Sequence, residues 1–355
     1  MNDSSLISDV ARALADLPDV KLGPIVDGVA DLHQPFDYAI DGLVKGREVR
    51  FLVETKANAY PRDIEYYILR LGRHAAKDES EFSVPLVAAP AITDASRQLL
   101  REHKIGYWDS SGSVYLDLPW ATYFVDRPVP ARQARRLRDV FRGSAAQVLH
   151  ALLIDPERQW HLIDLAERAQ VSASTAHEVC TFLEQQLWLE KAGSGRQAVR
   201  ILQEPGAVLD AWAASHTLDE YQPRRYHRWA RRRGELLDSV SAALQAQQID
   251  HALTLSSGAE LVAPHGTPGD RIFVLVAEAH RSLMPEAAAA AGLRETDEGE
   301  TVTAFLVHDK APMLFRRQVQ GVWVASDVQL YLDLAVWPQR GKEQAQHLRA
   351  ERIHF

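Results

Sequence analysis

The 355-residue sequence contains a single cysteine, Cys180, which excludes an intrachain disulfide. No Cys/His cluster has zinc-ligand spacing, and the fourteen histidines are scattered without an HExxH pair, so the common structural and catalytic zinc sites are excluded too. No apolar run is long enough to cross a bilayer. The opening residues, MNDSSLISDVARALADL, lack the basic start and apolar stretch of a secretory signal and read as a short amphipathic helix. The expectations are a cytoplasmic location and no membrane partner. Internal repeats and long low-complexity tracts are also missing. Basic charge is in overall deficit, with a formal net charge of −8, which taken alone argues against nucleic-acid binding. Two runs depart from that sum, ARQARRLRDVFRG (131–143) and PRRYHRWARRRG (223–234). A phosphate responds to the charge within a Debye length of it rather than to the total.

What is present is a globular composition, 46% hydrophobic and 25% charged, in a chain long enough for two or three cores. The pattern predicts an α/β multidomain protein with three segments, 1–130, 140–205 and 206–355. In the first, FDYAIDGLV and REVRFLVETKA form a β-hairpin turning at Lys45-Gly46. PRDIEYYILRLGRHAA follows as a helix with Pro61 in its first turn and an apolar stripe of Ile64, Ile68, Leu69 and Leu71. VPLVAAP reads as a buried strand, TDASRQLLREHK as a helix opened by Thr93 or Asp94, and IGYWDSSGSVYLDLP as a second hairpin turning at Ser111-Gly112. Interleaved strands and helices make this an α/β domain of nuclease-like type.

The second segment changes to helical periodicity. HLIDLAERA and ASTAHEVCTFLEQQLWL each carry one apolar face, with Cys180 on the second, and WLEKAGSGRQAVRIL reads as two short strands about a Gly-Ser-Gly tip. Helix, turn, helix and β-wing describe a winged helix-turn-helix with 173–187 as the recognition helix. Ser172 is placed to cap that helix, while Ser174, Thr175 and His177 lie near its N-terminus and off the apolar face, where base and phosphate contacts form. Arg196 and Arg200 on the wing, with Arg135 and Arg136 upstream, are the candidate phosphate contacts. The third segment reads as α+β. A basic helix over 224–246 precedes IDHALTLSSGAELVAP and DRIFVLVAEA, both strand-like, then an Ala-rich helix, TVTAFLVHD, GVWVASDVQLYLDLAV and a final helix GKEQAQHLRAERI. LSSGAEL resembles the Gly-Ser entry of nucleotidyltransferases, but GDRIFVLVAE offers only Asp270 where two-metal chemistry needs paired carboxylates. Partner binding is the other reading of this segment.

The hairpin carries the only catalytic constellation. Pairing symmetric about Lys45-Gly46 places Asp37 opposite Glu54 and Asp41 opposite Arg50. Alternation then puts Lys56 on the face of Glu54. Two carboxylates and an ammonium are the set a PD-(D/E)xK nuclease uses: Asp37 and Glu54 to hold Mg²⁺, Lys56 to orient or deprotonate the attacking water. The alternative is a hairpin with solvated charges.

Taken together, FLVETKA, PLVAAPAITDASRQLLREHKIGYWDSSGSVYLDL, the winged-helix segment and DVQLYLDLAVWPQRGKEQAQHLRAERI resemble the AbiEi family of antitoxins and transcriptional regulators of type IV toxin–antitoxin systems. The resemblance implies operator binding, repression of the protein's own operon and a nucleotidyltransferase-like toxin as antagonist. Members of that family more usually carry the winged helix at the N-terminus; here it follows the nuclease-like segment. The function expected is sequence-specific DNA binding, of antitoxin-like type, with no cofactor certain and Mg²⁺ the one candidate. The alternatives are a Mg²⁺-dependent endonuclease using Asp37, Glu54 and Lys56, and a protein-binding scaffold. The partners expected are double-stranded DNA and a cognate toxin, with homodimerisation left open.

Overall fold

A computed structural model describes residues 3–27, 36–74, 82–128, 139–266, 269–338 and 340–355. The protein is mixed α/β, and its chain divides into two compact units: residues 1–137 with 184–187, and the remainder. No helix among the described residues is long and apolar enough to cross a membrane.

In the first unit a seven-stranded sheet follows chain order: β1 (Val20–Asp27), β2 (Tyr38–Val44), β3 (Arg47–Thr55), β4 (Ser83–Ala89), β5 (Gly106–Asp109), β6 (Val114–Leu118) and β7 (Ala121–Val125). β3, β4 and β5 are parallel and the other neighbours antiparallel. Lys45 (φ +50°) and Gly46 (φ +79°) supply the two left-handed residues that a tight hairpin turn needs. The register is therefore the one the turn dictates, from Val44↔Arg47 through Asp41↔Arg50 to Tyr38↔Val53. Because strand side chains alternate, Val53, Leu86 and Ala88 pack on helix α1 (Asp3–Ala15). Val87, Ala89 and Tyr107 pack on α2 (Pro61–His74) and α3 (Asp94–Glu102) on the other face. β1 and β7, edge strands with several outward side chains, were not anticipated. On α2 the stripe shifts by one position: Tyr67 is fully buried and Leu69 exposed, the reverse of the expectation for Leu69.

Asp109 gives GYWDSSGSVYL its structural role. Its carboxylate is fully buried, accepts bonds from the amides of Ser111 (2.9 Å) and Ser113 (3.2 Å), and pairs at 2.6 Å with Arg97, itself 1% exposed. Arg97 also reaches Asp126 and the carbonyl of Arg127. A charge this deep is tolerable only with such partners. Thr93 caps α3 by accepting from Ser96 N.

The second unit begins with α4 (Gly143–Ile154), β8 (Trp160–His161), α5 (Leu162–Arg168), α6 (Ala173–Gln185), β9 (Leu189–Ala192) and β10 (Val199–Leu202). The three strands form an antiparallel sheet ordered β8-β10-β9. α4 and the two-residue β8 are elements there that the sequence reading did not name. After α7 (Pro205–Ser215) come β11 (Gln222–His227), α8 (Arg233–Ala246), β12 (His251–Leu253), α9 (Leu255–Val262), β13 (Ile272–Ala277), α10 (Met284–Ala290), β14 (Arg294–Glu295), β15 (Val302–Val307), β16 (Arg317–Val319), β17 (Val322–Val324), α11 (Asp327–Val336) and α12 (Gly341–Leu348). The larger sheet is ordered β14-β11-β15-β13-β12-β17-β16. A single buried apolar cluster runs from Phe141 through Cys180 and Val274 to Ile353, so the expected division near 205 falls inside one continuous core.

Two expectations need correction here, and the type of a third segment is settled. Residues 224–227 are strand, not helix: Tyr226 is buried between outward-facing Arg225 and His227, a period of two. LSSGAELV is helix α9, with Gly258 so close to Leu253 O (2.8 Å from a Cβ built there) that no larger side chain fits. DVQLYLDLAV is helix α11, because Ser326 accepts a bond from Gln329 N and starts a helix directly after β17.

At the centre of this unit the fully buried Asp333 receives hydrogen bonds from His216 Nε2 (2.9 Å), Tyr221 (3.2 Å), Gln329 Nε2 (2.8 Å) and Thr254. Burial, then the Asp333 charge, pushes the Tyr221 phenol well above its usual range. His150, also fully buried, donates from Nδ1 to Ala311 O (3.1 Å) and accepts at Nε2 from the Ser326 hydroxyl. A neutral ring satisfies both contacts, and burial lowers its pKa to about 4.

Candidate functional site

The first candidate lies at the edge of the first unit's sheet where β3 ends. Parallel strands leave their C-terminal ends as the place where side chains and loops converge, and the hairpin brings the start of β2 to the same edge. Glu54 sits beside Val87 in the ladder and so faces α2. It is 3% exposed, and its Oε1 receives Lys56 Nζ at 2.5 Å and Arg70 Nη1 at 3.3 Å. Asp37 N bonds to Val53 O (2.9 Å), continuing the ladder. Its carboxylate Oδ2 accepts from the amide (2.8 Å) and hydroxyl (2.7 Å) of Thr55. Asp37, Glu54 and Lys56 therefore do come together, as the turn register requires.

Burial is the largest influence on Glu54 and raises its pKa. Lys56 pulls it down, the like charge of Asp37 pushes it up, and Arg70 pulls it down. Tyr67, one helical turn before Arg70, is fully buried, and its hydroxyl has no partner among the described residues. Burial and the charge of Glu54 raise its phenol. The sequence reading passed over Tyr67 and its pairing with Arg70. The available signal was their spacing of three residues on a helix that follows the Glu-x-Lys strand, which puts both on the face meeting it.

Mg²⁺ binds through one or two carboxylates while keeping several waters. The residues here do not fit that role as arranged. Both cationic neighbours converge on Glu54 Oε1, Asp37 Oδ2 is held by Thr55, and no cluster of three His, Cys, Asp or Glu among the described residues is placed to hold a metal. Lys56 and Arg70 already balance the two carboxylates. The edge is an ion-pair network rather than a cation cradle.

The second candidate is the outer face of α6. Ala176, Val179, Cys180 and Leu183 bury one side. Ser172 accepts from Thr175 N (3.1 Å) and stabilises the helix start. Ser174, His177 and Glu178 are exposed and Thr175 is half-buried, so the predicted contact residues do occupy the free N-terminal face. The tip between β9 and β10 carries Gly193 (φ +84°) and Gly195 (φ +57°). Arg200 is misassigned. It lies on the central strand β10, is 5% exposed and donates to Ala198 O, because the alternation that exposes the tip turns residue 200 inward. Arg135 and Arg136 lie outside the described residues, as does the side chain of Arg196. Lys191, exposed on β9, is a basic residue the sequence reading overlooked.

No protein-family model matches the chain, and no curated protein or solved structure is detectably similar to it. The functional reading rests on geometry.

Proposed function

We propose that the protein is a sequence-specific binder of double-stranded DNA, using residues 143–203 as a winged helix-turn-helix. The observation that carries this reading is the arrangement of α4, α5 and α6 with the sheet β8-β10-β9. It leaves the polar N-terminal face of a capped helix exposed, and the chain goes on to a Gly-rich tip between β9 and β10. A helix of this width enters the major groove, where Ser174, Thr175 and His177 meet base edges and the tip, with Lys191, meets phosphate. The resemblance of the sequence to AbiEi antitoxins supports a regulatory role with a toxin as partner. DNA affinity falls steeply with salt in this reading. Lys191→Ala weakens binding to all duplexes alike, whereas His177→Ala and Ser174→Ala change sequence preference. Gel-shift titrations on preferred and scrambled duplexes test this, and identical behaviour of the two variant classes would sink it.

A second reading, metal-dependent phosphodiester cleavage, draws support from the convergence of Asp37, Glu54 and Lys56 beside the unpartnered Tyr67 hydroxyl. The balanced ion-pair network weighs against it. Incubating supercoiled DNA with the protein and Mg²⁺ or Mn²⁺ decides between the two: no nicking is expected, and nicking abolished by Glu54→Ala would make the enzyme reading primary.

A further inference from the structure

In the second unit a cavity of about 270 Å³ opens between the start of α4, the loop after α7 and the segment after β15. Its wall is apolar. Phe141 and Trp212 are both buried, with rings 22° from parallel and centroids 6.3 Å apart, and Pro312 adjoins the same space. Its rim carries charge of both signs. Arg142 pairs with Glu220 at 2.8 Å, each side chain about half exposed, and Asp309 accepts from Gly143 N at 3.2 Å. The volume falls just below the range of ordinary ligand pockets and suits a small molecule.

A purely anionic ligand would meet Arg142 but be repelled by Glu220 and Asp309. A purely cationic one would meet the carboxylates but face Arg142. A zwitterion with an apolar tail suits the three charged side chains together: its carboxylate takes Arg142, its ammonium takes Glu220 and Asp309, and its side chain covers the aromatic part of the wall. Ion pairs at a half-exposed rim are easily exchanged, since each contributes little on its own. We propose that this cavity binds a free amino acid with an aromatic or branched apolar side chain. The proposal does not depend on the DNA-binding reading.

Calorimetric titration of the full chain tests it with three probes, L-phenylalanine, 3-phenylpropionate, which lacks the amine, and phenethylamine, which lacks the carboxylate, and with L-leucine as a second amino acid. Saturable binding of L-phenylalanine is expected, with each analogue weaker by about tenfold or more. Arg142→Gln should weaken L-phenylalanine by a similar factor and leave phenethylamine unchanged; Glu220→Gln should weaken L-phenylalanine and leave 3-phenylpropionate unchanged. Both positions are solvent-facing, and circular dichroism of each variant confirms folding. Absence of saturable binding by both L-phenylalanine and L-leucine, equal affinity for the three probes, or indifference of the folded variants would overturn the proposal.

Discussion

The two large sheets of this molecule have seven strands each but opposite logic. In the first unit neighbours in space are neighbours in sequence, from β1 through β7; in the second the order is β14-β11-β15-β13-β12-β17-β16. One sheet is assembled from hairpins and short crossovers whose turns set the register locally. The other depends on contacts between distant segments, such as β12 beside β17, and on a buried polar network that ties α7, β11, β12 and α11 to Asp333. Outside the Arg97–Asp109 pair, the first unit should therefore tolerate loss of a polar contact better than the second.

The largest effect expected follows from that network. Asp333→Leu leaves His216, Tyr221, Gln329 and Thr254 without their shared buried acceptor, at a cost of at least about 3 kcal/mol. Hydrogen exchange should show protection lost across the second unit and retained in β2 and β3; uniform loss would break the contrast between the units.

His150 gives the next effect. Its folded pKa of about 4 lies below the ordinary value of 6.5, so between those values the unfolded chain binds more protons. The stabilising contribution is complete above pH 6.5 and is lost as pH falls towards 4, amounting to about 3 kcal/mol. Denaturation of His150→Gln across this window should show a flatter slope than the wild type, and an unchanged slope would assign the acid sensitivity elsewhere. Glu54 acts with the opposite sign. Its raised pKa means the folded state holds the proton more tightly, so its contribution diminishes as pH rises through the folded value.

Smaller effects belong to the hairpin. Gly46→Ala places a Cβ at φ +79° and should cost about 1 kcal/mol, read from the urea midpoint. Asp41→Asn breaks an ion pair with Arg50 whose side chains are 54% and 53% exposed, and should cost less than about 1 kcal/mol. A larger loss from Asp41→Asn than from Gly46→Ala would mean that the charge pair, not the turn, sets the register.

The same contrast explains what was legible in the sequence. The Lys45-Gly46 turn, the Asp37, Glu54, Lys56 convergence and the limits of α6 followed from local rules of turn chemistry and period. Helix α9 was read as strand together with the run IDHAL before it, and α11 was left without a type because DVQLYLDLAV is buried nearly all round and so has no period to detect. Arg200 was placed on a surface because arginine is rarely buried. The partner strands that turn it inward, β8 and β9, are visible only in the folded sheet. Arg70 and Tyr67 were separable from a solvated helix face only once α2 was known to cover Glu54.

The central claim is that the open face of α6 reads base sequence in duplex DNA. Selection from a random duplex library with the full chain, followed by sequencing, tests it most directly. The account predicts enrichment of a defined motif, a shifted motif for His177→Ala, and an unchanged motif for a Glu54→Gln, Lys56→Gln double variant. No enrichment by the folded wild type, or one motif shared by the wild type and His177→Ala but altered in the double variant, would contradict it.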